Sequence, residues 1–152
     1  MIFTEFDHAA MGLAIGAAKT ASSIGEVPVG AVIFKGDELI ATAYNRRECD
    51  KSALAHAEIL AIQKACEVLG GWRLWQCALY VTLEPCPMCV GAIINARIPR
   101  VIFGASDPKA GCMGSITDLT ALSFNHKPEV LAGVRQEECA GLLREFFAGI
   151  RR

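Results

Sequence analysis

The sequence predicts an α/β fold, a three-layer α/β/α sandwich on a mixed five-stranded sheet, from three observations. Stretches with helical recurrence alternate along the chain with short β-branched and apolar runs. At 152 residues the chain is long enough to bury a proper core as one domain, expected to span 1–152. No repeat, linker or low-complexity tract interrupts it.

The elements follow in order. From Phe3 to about Ser23, apolar residues recur at helical spacing (Phe6, Ala9, Ala10, Leu13, Ala14, Ala17), and Gly25 is a plausible stop. Gly12 and Gly16 weaken that helix but would allow close packing on a sheet. Val27–Phe34 and Glu38–Tyr44 read as strands around Lys35, Gly36 and Asp37, a hairpin signal. Asn45 to Leu54 is polar and loop-like. A helix is expected from about His56 to Leu69, closed by Gly70 and Gly71. Cys77–Leu83 is a buried strand, and Pro85 suits the first turn of a helix running to about Arg97. Ile98 and Pro99 stop that helix before a strand at Val101–Phe103. Gly104–Ser115 is the one long irregular segment, a kind usually kept for function. A short strand at Val130–Leu131 and an amphipathic helix from Gln136 to Ile150 complete the chain.

Composition narrows the class. Apolar residues make up 53% and charged residues 20%, as in a soluble globular protein. No apolar run reaches the roughly 18 residues of a membrane span. Glu5 and Asp7, with no basic residue before Lys19, argue against a secretory signal, so a cytoplasmic location is expected. The seven cysteines are odd in number, and Cys66 and Cys77 fall in regular apolar segments, so reduced thiols are expected. A net charge of −1 excludes nucleic-acid binding by bulk electrostatics and leaves room for a local basic patch.

The chemistry concentrates in His56-Ala57-Glu58 and Pro85-Cys86-Pro87-Met88-Cys89. One imidazole and two thiols supply three ligands for a tetrahedral zinc and leave its fourth position to a water. Cys86 and Cys89, three apart, share one face of a helix, where the helix dipole favours thiolate. His56 and Glu58 lie about 200° apart on a helix, so both reach one point only if the helix N-terminus is aimed at it. The prediction is therefore two helix N-termini converging on one metal. His-x-Glu followed by Pro-Cys-x-x-Cys is the signature of zinc nucleobase deaminases, in which activated hydroxide attacks the ring carbon bearing the amine. Glu58 would be the proton shuttle. A structural zinc knuckle or a redox Cys-x-x-Cys is the bland reading. The first lacks a fourth ligand at ligand spacing; the second leaves His56 and Glu58 unexplained.

With these motifs in place, the chain resembles the bacterial tRNA-specific adenosine deaminases of the zinc-dependent cytidine deaminase superfamily. The resemblance runs nearly end to end: Glu26 to Ala31 (EVPVGA), Asn45, Ala55 to Glu58 (AHAE), Tyr80 to Cys86 (YVTLEPC), Gly91 with Ala92, Arg100 to Ala105 (RVIFGA) and Asp107. It continues through Gly114-Ser115, Asn125-His126, Glu138 to Ala140 and Phe146-Phe147. It implies conversion of the wobble adenosine of a tRNA anticodon to inosine by a homodimer with RNA spanning both subunits and one zinc per subunit. His56, Cys86 and Cys89 would bind the zinc, Asn45 would hydrogen-bond the flipped base and Val27 would pack on it. Asp107 would meet the ribose side of the target, consistent with recognition through a 2′-OH. Arg46, Arg47, Lys109, Phe146, Phe147, Arg151 and Arg152 are implied contacts to the anticodon loop. No contact to DNA or membrane is expected.

Plainer roles stand beside these. Val27 would be core in a strand, and Asn45 a turn residue holding its own backbone. Asp107 before Pro108 is an ordinary turn pair. Phe146 and Phe147 lie about 100° apart, so one is expected to be exposed. Glu84 is expected to cap the helix start or orient a ligand. His8 and His126 lack ligand spacing. The ending at Arg151-Arg152, without a long basic tail, implies few phosphate contacts and a modest salt dependence. Two alternatives remain: a base or nucleoside deaminase of guanine or cytosine type, and an inert zinc-stabilised RNA-binding domain.

Overall fold

Thr4 opens the first helix with a capping box. Its hydroxyl accepts from Asp7 N, and the Asp7 carboxylate accepts from Thr4 N at 3.1 Å. In the computed structural model, which describes residues 3–150, this helix is α1 (Glu5–Ser23). It is followed by β1 (Gly30–Lys35), β2 (Glu38–Tyr44), α2 (Ala57–Leu69), β3 (Cys77–Leu83) and α3 (Pro87–Asn95). Then come β4 (Arg100–Ala105), a 3-10 turn at Leu119–Ala121, β5 (Glu129–Ala132) and α4 (Gln136–Ile150).

The five strands are ordered β2-β1-β3-β4-β5. β1 runs antiparallel to β2 and β3, whereas β3, β4 and β5 are mutually parallel. Strand alternation divides the core in two. Ala31, Ile33, Leu79, Val81, Val101 and Phe103 face α2 and α3. Val32, Phe34, Tyr80 and Ile102 face α1 and α4. The expected three-layer sandwich follows from this two-sided burial.

The topology decides where chemistry is possible. Gly30 pairs with Tyr44, Ala31 with Val81, and Leu83 with Ala105. The start of β1 and the ends of β2, β3 and β4 therefore meet at one end of the sheet. The segments leaving that end carry Val27, Asn45, Cys86 and Asp107.

Several element expectations are corrected. β1 begins at Gly30, not Val27: Val29 N donates to Val27 O at 2.9 Å, a tight bend, and Pro28 has no N–H for a ladder. α3 begins at Pro87, so Pro87 rather than Pro85 occupies the first turn, and it ends at Asn95. The irregular segment starts after Ala105, because β4 continues through Gly104. Gly16 has open space where a Cβ would stand, and Gly12 makes room for the Arg135 guanidinium. The close approach of α1 to the sheet depends instead on Gly30, whose Cβ would overlap the Ala14 carbonyl oxygen.

Candidate metal and active site

His56 is the N-cap residue of α2 and Cys86 the N-cap residue of α3. N-caps are ordinarily Ser, Thr, Asp or Asn, whose side chains bond the first free N–H groups. Neither His56 nor Cys86 makes such a bond, which leaves its donor atom for another partner. The Sγ atoms of Cys86 and Cys89 each lie 3.6 Å from His56 Nδ1. A tetrahedral zinc, with Zn–S of about 2.3 Å and Zn–N of about 2.0 Å, requires an S···N separation of about 3.5 Å. The donor set and its spacing therefore fit that ion. Two helix N-termini do converge on one point.

His56, Glu58, Cys86 and Cys89 shift one another's protonation. Burial pushes the Glu58 carboxyl up to about 7. Its own backbone N–H and His56 offset part of that rise, and the Cys86 thiolate adds to it. The hydrogen bond from Cys89, then His56, holds the Cys86 thiol down at about 4 against burial. Cys89 is pushed up by donating to Cys86 and by burial. His56 is raised chiefly by its bond to Cys86. His56, Cys86 and Cys89 thus share one hydrogen-bonded cluster, and a bound cation would favour both thiolates and the Glu58 carboxylate.

A pocket of about 190 Å³ opens beside the cluster, lined by His56, Glu58 and Cys86 together with Val27, Asn45 and Asp107. A cavity of about 150 Å³ accommodates benzene, so this volume is on the scale of one base rather than a whole nucleotide. Two buried carboxylates fix the pocket's loops. Glu26 accepts from Glu48 N at 3.1 Å and Cys49 N at 2.7 Å, bracing the segment after Asn45. Glu84 accepts from the backbone of Asp107, Met113 and Ser115 and from the Ser115 hydroxyl. Burial alone would raise both carboxyls; these bonds outweigh it and lower them.

The family of MafB19-like deaminases matches residues 6–151. The tRNA-specific adenosine deaminase of Bacillus subtilis (strain 168) is 50% identical over 147 residues, 96% of this chain and 91% of that relative. The chain belongs to the family of bacterial tRNA-specific adenosine deaminases. Among solved structures, one from work on A-to-I editing by tRNA:A34 deaminases at the wobble position of transfer RNA matches this deaminase with a TM-score of 0.86. It is 43% identical and covers 89% of this chain and 99% of its own. The guanine deaminase from Bacillus subtilis matches with a TM-score of 0.66 at 30% identity, over 99% of this chain and 96% of that one.

The deaminase brings most of the residues singled out by sequence into one place, and some of them serve differently from expectation. Val27 is half-buried outside any strand and faces the pocket, not the core. Asn45 lines the pocket and also holds a turn, donating to Val27 O and accepting from Arg47 N. Asp107 lines the pocket, and its Oδ1 accepts from Lys109 N and Ala110 N. Arg47 lines the pocket. Arg46 is drawn aside by Asp50 at 3.0 Å and by the Tyr44 hydroxyl at 3.1 Å. Lys109 is exposed on the loop and does not line the pocket. Phe147 is 44% exposed on α4 and packs edge-on against the half-buried Phe146. Arg151 and Arg152 lie outside the described residues. Glu84 does not cap α3, whose N-cap is Cys86; it organises the Asp107–Ser115 loop instead. His8 and His126 stand apart from the ligand cluster, His126 bonded to Ile98 O. The role of Glu26 had no signal in spacing or period.

Proposed function

We propose that this deaminase hydrolytically converts adenosine to inosine at the wobble position of a tRNA anticodon. The observation that carries the reading is the base-sized pocket lined by His56, Cys86 and buried Glu58, with Cys89 behind it completing the His/Cys/Cys cluster. Half-identity to a tRNA-specific adenosine deaminase over nearly the whole chain supports the choice of substrate.

His56, Cys86 and Cys89 would hold one Zn2+ per subunit. Bound zinc supplies a water whose pKa falls from about 15.7 to about 7. Glu58 takes the proton that the attacking water gives up, then returns protons to the ring nitrogen and the departing amine. Its burial keeps this exchange away from bulk water. Asn45 offers the base the hydrogen-bonding capacity left after its two backbone contacts, and Val27 gives the ring an apolar wall. Asp107 stands at the pocket edge for the ribose. Arg47, Lys109 and Phe147, with Arg46 and Arg151 as further contacts, would meet the anticodon loop of a tRNA held by a homodimer. No helix among the described residues is long and apolar enough to cross a membrane. We place the protein in the cytoplasm as a single deaminase domain.

The similarity to a guanine deaminase makes free purine bases the competing substrates. Deamination of an anticodon stem-loop, free adenosine and free guanine by the purified zinc-loaded protein decides between them. The stem-loop should be turned over far faster; equal turnover of a free base would defeat the tRNA reading.

A further inference from the structure

A second concave region lies at the sheet end opposite the catalytic pocket. Trp75 comes just before β3 and Arg97 just before β4, so the length of α2 separates them from the metal ligands. Arg73, Trp75, Arg97, Pro99 and His126 line a groove of about 490 Å³ there. Trp72 and Trp75 are 51% and 67% exposed, a costly display of two large aromatic surfaces to water. The Arg73 guanidinium stands 4.3 Å from the centre of the Trp72 ring and that of Arg97 stands 5.8 Å from it. Arg97 is held in place by donating to Ile94 O at 2.7 Å at the end of α3.

Charge identifies the occupant. Among the described residues, Arg46, Arg100, Arg135 and Arg144 have carboxylate partners. Arg73 and Arg97 have none, although both gather at one indole. Two unneutralised guanidinium groups held at Trp72 beside the exposed Trp75 ring match phosphates flanking an unpaired base: Trp75 takes the base face, the arginines the backbone. A chain with net charge −1 has no diffuse positive field to hold RNA, so its contacts must be local ones of this kind.

We infer that the Trp72–Trp75 face is a second RNA-binding platform, distinct from the catalytic pocket, which stacks an unpaired base and pairs its phosphates with Arg73 and Arg97. The inference rests on the reading of the substrate as RNA.

The chain contains two tryptophans, and both belong to this face, so intrinsic tryptophan fluorescence reports on it alone. The full-length zinc-loaded protein is titrated with oligouridylate of about eight nucleotides, within the usual site size. That probe holds no adenosine and is no substrate. Saturable quenching is expected, with a logarithmic salt slope of about −1.4 for two phosphates on a single strand. Arg73→Gln should reduce the slope by about 0.7. Trp75→Ala, read through Trp72, should weaken binding roughly tenfold. Both positions are exposed, so unfolding midpoints should stay unchanged. Absence of quenching, or quenching indifferent to Arg73→Gln, overturns the platform. A fluorescence change that follows protein concentration rather than RNA also overturns it and assigns the face to a contact between two copies. Stem-loop deamination in the same preparation keeps the readings apart. Activity without quenching refutes the platform alone; quenching without adenosine deamination refutes the proposed reaction alone.

Discussion

Asn45 donates from Nδ2 to the carbonyl oxygen of Val27 at 3.2 Å, joining the segment before β1 to the one after β2 at the mouth of the pocket. Its Oδ1 accepts from Arg47 N at 3.1 Å in the same turn. Holding the backbone and lining the pocket are therefore compatible tasks for one side chain. The Asn45 turn also decides which neighbouring arginine reaches the pocket.

Arg47 is exposed and lines the pocket, whereas Arg46 is bound to Asp50 and the Tyr44 hydroxyl. Arg47→Ala should therefore raise KM for an anticodon stem-loop by roughly tenfold, the value of one charge-assisted contact of about 1.5 kcal/mol. Arg46, held by Asp50 and the Tyr44 hydroxyl, is the weaker contact of the two, and Arg46→Ala should raise KM by only about twofold. Steady-state kinetics on the paired variants test this, and an equal effect at both positions would contradict the geometry.

The cluster of His56, Cys86 and Cys89 with Glu58 beside it was legible in the sequence because it is written in short spacings: His56 with Glu58, and Cys86 with Cys89, each lie within one turn. The strands were legible from β-branched runs, although the sequence alone extends β1 back to Val27, because Pro28 and the bend at Val29 carry no periodic signal. Glu26 and Glu84 were not legible as braces. A carboxylate that satisfies backbone N–H groups more than 20 residues away leaves no mark at either position. Pro85 and Pro87 show the same limit, since either fits a first helical turn and packing chose the second. The Trp72 and Trp75 surface, too, needed coordinates, because an apolar residue in a sequence does not declare its exposure.

Glu84 and Gly111 form one such hidden pair. A Cβ at Gly111 would run into the Glu84 carboxyl group, which already takes the N–H groups of Asp107, Met113 and Ser115. Gly111→Ala should displace the loop, lower the unfolding midpoint and raise KM through Asp107 while leaving bound zinc unchanged. Glu84→Ala strands those buried donors and should cost about 3 kcal/mol, the scale of losing bonds to a charged acceptor. Calorimetry and metal analysis on the two variants provide the check. Wild-type stability for Gly111→Ala would show that the loop yields without cost.

At the opposite sheet end, Asp7 links α1 to β3 and β4. It accepts from the Tyr80 hydroxyl at 2.7 Å and from Arg100 at 3.0 Å. Burial alone would raise its carboxyl, but the bonds from Arg100 and Tyr80 prevail and lower it from 3.8 to about 2. The folded state thus holds the proton less tightly than the unfolded chain. The resulting stabilisation, about 2 kcal/mol, is fully present above the unfolded carboxyl value and disappears as pH falls through about 2. Asp7→Asn should be less stable than wild type at neutral pH, and the gap should close between about pH 4 and pH 2. Urea unfolding across that range measures it, and a gap that stays constant would remove Asp7 from the acid response.

Glu58 is 4% exposed and lies in the first turn of α2, beside the thiols that would hold the metal but outside the ligand set. A residue whose task is only to move protons should be separable from the residues that bind zinc. Glu58→Gln keeps size and packing, so zinc content should remain at one ion per chain and the unfolding midpoint should not fall. Turnover should drop by about 10³-fold or more, the upper range of general acid–base catalysis. His56→Ala and Cys86→Ala should behave in the opposite way, losing metal and stability together, because binding energy at such a site is also folding energy. Metal analysis, thermal unfolding and single-turnover deamination on the three variants separate the two classes. Retention of a few per cent of activity by Glu58→Gln would assign the proton transfer to another group, and loss of zinc from that variant would make Glu58 part of the metal site itself.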